Sequence, residues 1–490
     1  MKLKVKILKF LAGRPVCILH RETAEKLNVN VSERVLIKKK PHKPLISIID
    51  TSTQILNPNE IAVSDEIIQR LKLKENSLIE VDIASTPHSV ELIKEKLKGK
   101  ILSKEEIDDI VTDISKNALT EVEIAFLISG IYEKGLNFNE TRNFIQSMLK
   151  NSNVLRLRGK VVDKHCIGGI AGNRTTPIIV AICASAGLVV PKTSSRAITS
   201  AAGTADTIET LAQVMFETDE LKKIIKKTKA CMVWGGALGL VPVDSKIIEV
   251  ERTVHIDSES QMLASIMSKK LSVDSKYILI DIPCGKSAKV SKTQAEKLKD
   301  KFIKIGNSFG IKMKVVLTDG TNPIGNGVGP ALEMIDVLKV LQRESPPADL
   351  EEKSIMLAGE LLELAGKAKK GKGKEIAYSI LNSGKAFKKF EQIIKAQHGK
   401  IKSLSPGKFS FNIYAKTSKK ISHIDNKLLN SLARFSGCPE DKSAGIYLHK
   451  KQKQEIKKGD KIMTVYAESR EKLENARKYY NKIKKRLIEF

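Results

Sequence analysis

GKVVDKHCIGGIAGNRTTP (residues 159–177) and, after an apolar run, LVVPKTSSRAITSAAGTAD (188–206) form two matching units. Each reads as a short strand that enters a turn rich in glycine or hydroxyl groups, from which a helix emerges. In the first, Gly159–Val162 reads as the strand and Pro177–Ala186 as the helix. Gly168, Gly169 and Gly172 let the backbone come close to an anion, and the helix start directs free N–H groups at it. Lys164, Arg174, Thr175 and Thr176 add donors and charge. In the second, Leu188–Val190 leads in and Asp206–Gln213 follows. Six hydroxyls (Thr193, Ser194, Ser195, Thr199, Ser200, Thr204) converge there with Arg196, and one helix cap would use only one of them. Two such turns at one sheet edge form a crevice at the carboxyl ends of the strands. The expectation is an α/β layer domain with an anion-binding crevice.

Working outward, the chain has 490 residues, enough for two to four domains. With 41% hydrophobic residues it can bury real cores. Residues 1–85 alternate in short β segments (Lys2–Lys9, Arg34–Lys38, Pro44–Asp50, Ser77–Ala84) with short helices at Glu22–Leu27 and Ser64–Leu71. This predicts a barrel-like N-terminal domain. A helical domain is expected over 86–160, joined by part of 245–275. Ser103 with Glu106 and Thr120 with Glu123 are capping boxes there, and Asn139 is the expected cap of a third helix. The α/β domain, with a mixed sheet, is placed at 161–344, and an α+β C-terminal domain at 345–490.

The N-terminus lacks the apolar run of a signal peptide, and Pro177–Pro191, the most apolar stretch, is too short to cross a bilayer. Six cysteines without a CxxC pair point to a reducing cytoplasm. Eight histidines without HxxxH spacing argue against zinc. The net charge of +29 invites a nucleic-acid reading. It is spread along the chain, aromatics are only 4%, and no nucleic-acid motif stands out. Surface bias and steering of anionic substrates are the favoured account. Cys284–Ser287 imitates the end of a P-loop, but Ile280 stands where the first glycine belongs. Gly325–Pro330 reads as a structural loop.

At the two turns the chain resembles the thymidine and pyrimidine nucleoside phosphorylase superfamily. The carriers are Lys164-His165-Cys166-Ile167-Gly168-Gly169 and Lys192-Thr193-Ser194-Ser195-Arg196, with Gly203-Thr204-Ala205-Asp206 after them. Trp234-Gly235-Gly236, Asp257, Ala264–Lys270 and Gly325 extend the likeness. Within the superfamily it is most similar to the archaeal AMP phosphorylases, through Ser194–Thr204, the additional N-terminal domain, and Lys289 in Gly285–Val290. The resemblance implies phosphorolysis of nucleoside 5′-monophosphates (AMP, also CMP and UMP) to free base and ribose 1,5-bisphosphate. It implies Asp257 as proton donor, with His165 a further catalytic candidate. Gly169, Ser195, Arg196, Ala197, Ile198, Thr199, Ser200, Thr204, Ser265 and Lys289 would bind the nucleotide. Lys164, Thr176, Ser194 and Thr204 would hold the attacking phosphate, and Lys269 would lie toward the base. Lys289 or Arg196 would face the 5′-phosphate. Cys166 replaces the usual serine and weakens a donor.

No metal or redox cofactor is expected, inorganic phosphate being the co-substrate. A homo-oligomer, dimer or larger, is implied, without membrane or dedicated nucleic-acid partner. The competing readings are a nucleoside phosphorylase that ignores the 5′-phosphate, a phosphoribosyltransferase, for which no paired acidic metal motif is evident, and a nucleic-acid-binding protein.

Overall fold

The computed structural model describes residues 1–490 except Ile198, Thr199, Ala237 and Asp257. The chain forms two compact units, Met1–Ser152 with Val241–Ser268, and Asn153–Leu240 with Lys269–Phe490.

In the first unit, period-two patterning closes a six-stranded barrel. Lys2–Lys6 buries Leu3 and Val5 and exposes Lys2 and Lys4, as a pleated strand with one face inward must. Two further strands, Val16–His20 and Glu60–Val63, complete the ring. Parallel and antiparallel neighbours mix within it. The Arg34 guanidinium donates to Ala118 O at 2.7 Å and pairs with Glu123, tying the barrel to the helices of the same unit.

Those helices start where local chemistry dictates. Both expected capping boxes are present, Ser103 with Glu106 and Thr120 with Glu123. The third helix, Phe138–Lys150, is capped by Asn137 rather than Asn139. Asn137 is extended and three residues ahead of Glu140, so the two side chains satisfy each other's backbone N–H groups, whereas Asn139 already lies inside the helix. Glu140 also accepts from buried Lys96 at 2.7 Å and from Leu102 N at 3.0 Å. Such a carboxylate is buried only because its partners surround it. The helix Pro242–Val254 joins this bundle, with Lys246 Nζ donating to Ile114 O at 2.6 Å.

The second unit is organised by parallel strands. Lys312–Asp319, Tyr277–Cys284 and Val162–Cys166 pair in that order, and Val190–Ser194 pairs with Ala230–Trp234. A bridge between Val161 and Val189 joins the two sets. The sheet expected to be mixed thus has only parallel pairings among the described residues. A parallel sheet needs both faces covered. The helix Thr175–Ser185 is buried along almost its whole length. Helices Ala348–Leu364, Gly373–Asn382 and Lys385–Ala396 share its core through Leu350, Leu361, Leu381 and Phe390. The break read at 344–345 is therefore a short link between the helices Pro330–Gln342 and Ala348–Leu364 and not the edge of a core. The amphipathic helices after it bury their apolar faces in the central domain. A second core packs Ile413, Leu429, Ile446, Val465 and Leu487 together with Ala171, Ala201 and Val328 of the preceding region. There Phe409–Tyr414, Lys461–Ala467 and Gly445–Leu448 pair antiparallel. Gly327–Val328, reaching out from the central domain, adds a fourth strand. Among the described residues no helix is long and apolar enough to cross a membrane.

Candidate active site

The first motif is more strand than turn. Pairing with Tyr277–Asp281 carries the strand to Cys166, past the expected end at Val162. Alternation then sends Asp163 and His165 to one face and Lys164 and Cys166 to the other. Each face acquires a fully buried carboxylate with two lysines. Asp163 Oδ1 lies 3.1 Å from Lys192 Nζ, and its Oδ2 lies 2.9 Å from Lys270 Nζ. Asp281 Oδ2 lies 3.7 Å from Lys164 Nζ and 3.4 Å from Lys353 Nζ, while Thr318 Oγ1 donates to Oδ1 at 2.7 Å. Lys164 Nζ also donates to Thr175 Oγ1 at 2.9 Å, at the start of the helix that follows.

With all six groups ionised, four buried lysines against two buried carboxylates leave two positive charges in excess. The electrostatics follow from that surplus. Burial and neighbouring lysines push Lys164 down, opposed by Asp281. Burial pushes Lys192 down to about 7, opposed by Asp163. Burial would push Asp281 up, but Lys164 and Lys353 hold its carboxyl below the usual range. His165 is driven well below its ordinary value by burial and by Lys270, Lys192, Lys164 and Lys269, so its imidazole is neutral. Cys166 Sγ accepts from Gly168 N at 3.5 Å and Asn173 Nδ2 at 3.4 Å within its own loop, and burial pushes its thiol up. Thr176 is buried one residue along from Thr175.

The glycines have distinct duties. Gly169, at φ +91°, passes so close to the loop after Tyr277–Cys284 that a Cβ would stand 3.0 Å from Lys289 N. This contact brings two of the expected nucleotide residues together. Gly172, at φ +70°, lies against the 324–327 loop, where a Cβ would be 2.2 Å from Ile324 O. That loop is structural, as read, with Asp336 accepting from Asn326 N and Gly327 N.

The second motif likewise continues as strand, to Ser194. Thr193 Oγ1 and Ser194 Oγ are buried without a hydrogen-bond partner among the described residues. Beyond them Asp206 folds the turn back, its Oδ2 accepting from Ala197 N at 2.7 Å and Gly203 N at 2.8 Å. Gly203 lies so close that a Cβ would be 2.5 Å from Ser195 O. Arg196, expected as a cation for the 5′-phosphate, is committed elsewhere. It donates to Asp206 at 3.1 Å and to both oxygens of Glu209 at 2.6 and 2.7 Å, and it stacks 4.9 Å over Trp234. Those bonds raise its pKa and lower that of Glu209 to about 2. Arg174 is also a brace, reaching Thr204 Oγ1 at 2.9 Å, Ala202 O at 2.8 Å and Glu333 at 2.7 Å. It thereby ties the first turn to the second. Ser200 Oγ donates to Ala202 O at 2.9 Å.

Ser265 and Lys269 stand one turn apart on the helix Glu259–Ser272. Asp257, Ile198 and Thr199 lie outside the described residues. Sequence reasoning passed over Asp281, Thr318 and Lys353. The one local signal was an aspartate inside the apolar strand YILIDIPC (277–284), which a buried partner must explain.

Three family profiles match in order along the chain. They are the helical bundle domain of a glycosyl transferase family over 90–152, the α/β domain of that family over 158–387, and the pyrimidine nucleoside phosphorylase C-terminal domain over 412–485. The AMP phosphorylase of Pyrococcus furiosus is 42% identical, covering 97% of this chain and 95% of its own. Those of Methanococcoides burtonii and Methanocaldococcus jannaschii are 40% and 39% identical at the same coverage. The chain belongs to the AMP phosphorylase family. It is accordingly a glycosyltransferase of the phosphorylase kind with the multidomain α/β architecture expected of it. Anthranilate phosphoribosyltransferase from Thermus thermophilus shares the fold at 17% identity and a TM-score of 0.53, covering 63% of this chain and 99% of its own. The N-terminal barrel lies ahead of the first profile match, and a match that covers 97% of the chain includes most of it.

Proposed function

We propose that the chain catalyses attack of inorganic phosphate on the anomeric carbon of AMP, releasing adenine and ribose 1,5-bisphosphate, with CMP and UMP also accepted. The observation that carries this reading is the buried surplus of two positive charges beside two phosphate-type turns, in a member of the AMP phosphorylase family. A dianionic phosphate balances that surplus, and its donors are aimed before it arrives, the arrangement that lowers the cost of charge in a transition state.

In this reading Lys164, Thr176, Ser194 and Thr204 hold the attacking phosphate. The phosphate then gives the buried Ser194 hydroxyl, which has no partner among the described residues, its hydrogen bond. As the C–N bond stretches, the sugar gains positive charge and the phosphate below it offsets that charge. The departing base gains negative charge, and Asp257 donates the proton that completes its release. Burial and the surrounding lysines disfavour a protonated His165, so this reading assigns the proton to Asp257. Gly169, Ser195–Ser200, Thr204, Ser265 and Lys289 contact the nucleotide, and Lys269 faces the base. With Arg196 committed to Asp206 and Glu209, Lys289 is the cation for the 5′-phosphate. The lysines supply the positive charge, so the chemistry asks for no metal or redox group. A homo-oligomer, dimer or larger, and a cytoplasmic setting complete the reading.

Base-release assays with phosphate and AMP, CMP, UMP, adenosine, uridine or thymidine test it. Base should appear from the monophosphates only. Base from nucleosides alone would identify a nucleoside phosphorylase instead.

A further inference from the structure

Lys353 belongs to no phosphate motif, yet the helix Ala348–Leu364 places it against Asp281. Its side chain is 8% exposed, and its Nζ has no hydrogen-bond partner among the described residues. Asp281 Oδ2, 3.4 Å away, also lacks a hydrogen bond. Asp281 already faces Lys164 and accepts from Thr318, so neutrality does not require a second lysine. Burying a cation beyond neutrality is costly unless something offsets it.

We propose that Lys353 is a positioning residue of the phosphate site, sharing Asp281 with Lys164 so that the Lys164 ammonium stays available to the attacking phosphate. This rests on the phosphorolysis reading above. Without Lys353, Asp281 has one cation left, and its full charge draws Lys164 toward itself. The site also loses one of its two surplus charges. Both effects weaken phosphate binding and leave the nucleotide contacts alone.

The test compares wild type with Lys353→Met, which keeps the length of the side chain, Lys353→Arg, which keeps the charge, and Thr318→Val, which removes the other hold on Asp281. KM for phosphate is measured at saturating AMP, and KM for AMP at saturating phosphate. Stabilisation by inorganic phosphate alone is read as a thermal shift. Lys353→Met should raise the phosphate KM by roughly tenfold to a hundredfold, the effect of one unit charge in a partly screened interior. Its AMP KM should stay within about twofold, and its phosphate-induced thermal shift should shrink. Lys353→Arg should recover most of the loss, and Thr318→Val should raise the phosphate KM in the same sense. If Lys353→Met does not fold, Thr318→Val decides. A phosphate KM within about twofold of wild type in either folded variant would overturn the proposal, as would an equal rise in both KM values. Wild-type protein lacking phosphate-dependent turnover would instead sink the phosphorolysis reading, while the thermal shifts would still judge Lys353.

Discussion

Replacing Asp163 by asparagine isolates the buried charge network from the rest of the fold. The carboxylate is fully buried and within 3.1 and 2.9 Å of the Lys192 and Lys270 ammoniums. Removing one partner of such a pair costs about 3–5 kcal/mol, because the charge left behind has no water. Lys192 offers partial relief, since its pKa is about 7 even with Asp163 present and it can shed its proton. Near pH 8 the cost should therefore sit at the lower end, about 3 kcal/mol. Toward pH 6 the native variant must withhold a proton that the unfolded lysine keeps, so the gap widens by up to about 1.4 kcal/mol per pH unit. Denaturant titrations at pH 6 and 8, following the transition of the unit that contains Asp163, measure both numbers. Asp219→Asn is the control. That residue is 88% exposed and 3.1 Å from Lys222, and its loss should cost less than about 1 kcal/mol. A penalty below about 1 kcal/mol for Asp163→Asn, or one that shrinks toward acid pH, would refute the charge surplus.

Three other outcomes are expected. Asp257→Asn should lower kcat by roughly 10²- to 10⁴-fold with little change in the KM for AMP, as loss of a general acid does; unchanged turnover would remove it from that role. Gly203→Ala, whose Cβ would stand 2.5 Å from Ser195 O, should displace the second turn and raise the KM for AMP in steady-state kinetics while the chain still folds. Phosphate binding at pH 8 should take up protons, because the anion raises the depressed pKa of Lys192 toward its ordinary value. Calorimetry in two buffers of different ionisation heat reads the sign, and proton release would contradict it.

What was legible in the chain was local. Capping boxes at Ser103 and Thr120 are written within four residues, and both formed. The third helix is capped by Asn137 and not Asn139 because Glu140 stands three residues beyond Asn137, whereas Arg142 holds that place for Asn139. The strands of both phosphate motifs ran farther than expected, since pairing with Tyr277–Asp281 and Ala230–Trp234 overrides the turn-like composition of DKHC and PKTS. Val16–His20 and Glu60–Val63, not expected as strands, are held by partners far along the chain, at Ile48–Ser52 and Lys4–Lys6. Arg196 looked like an anion ligand in the motif, and only the fold showed Glu209 and Asp206 around it. Lys353 had no local signature at all, as its partner is a strand residue 72 positions earlier.

The central claim, phosphorolysis of a nucleoside monophosphate, is tested most directly by phosphorus NMR of the protein incubated with AMP and inorganic phosphate. The account predicts that the inorganic phosphate signal falls as a sugar 1-phosphate signal grows in equal amount, on a product that keeps its 5′-phosphate. Loss of AMP without uptake of inorganic phosphate, or no loss of AMP beside ready cleavage of adenosine, would contradict it.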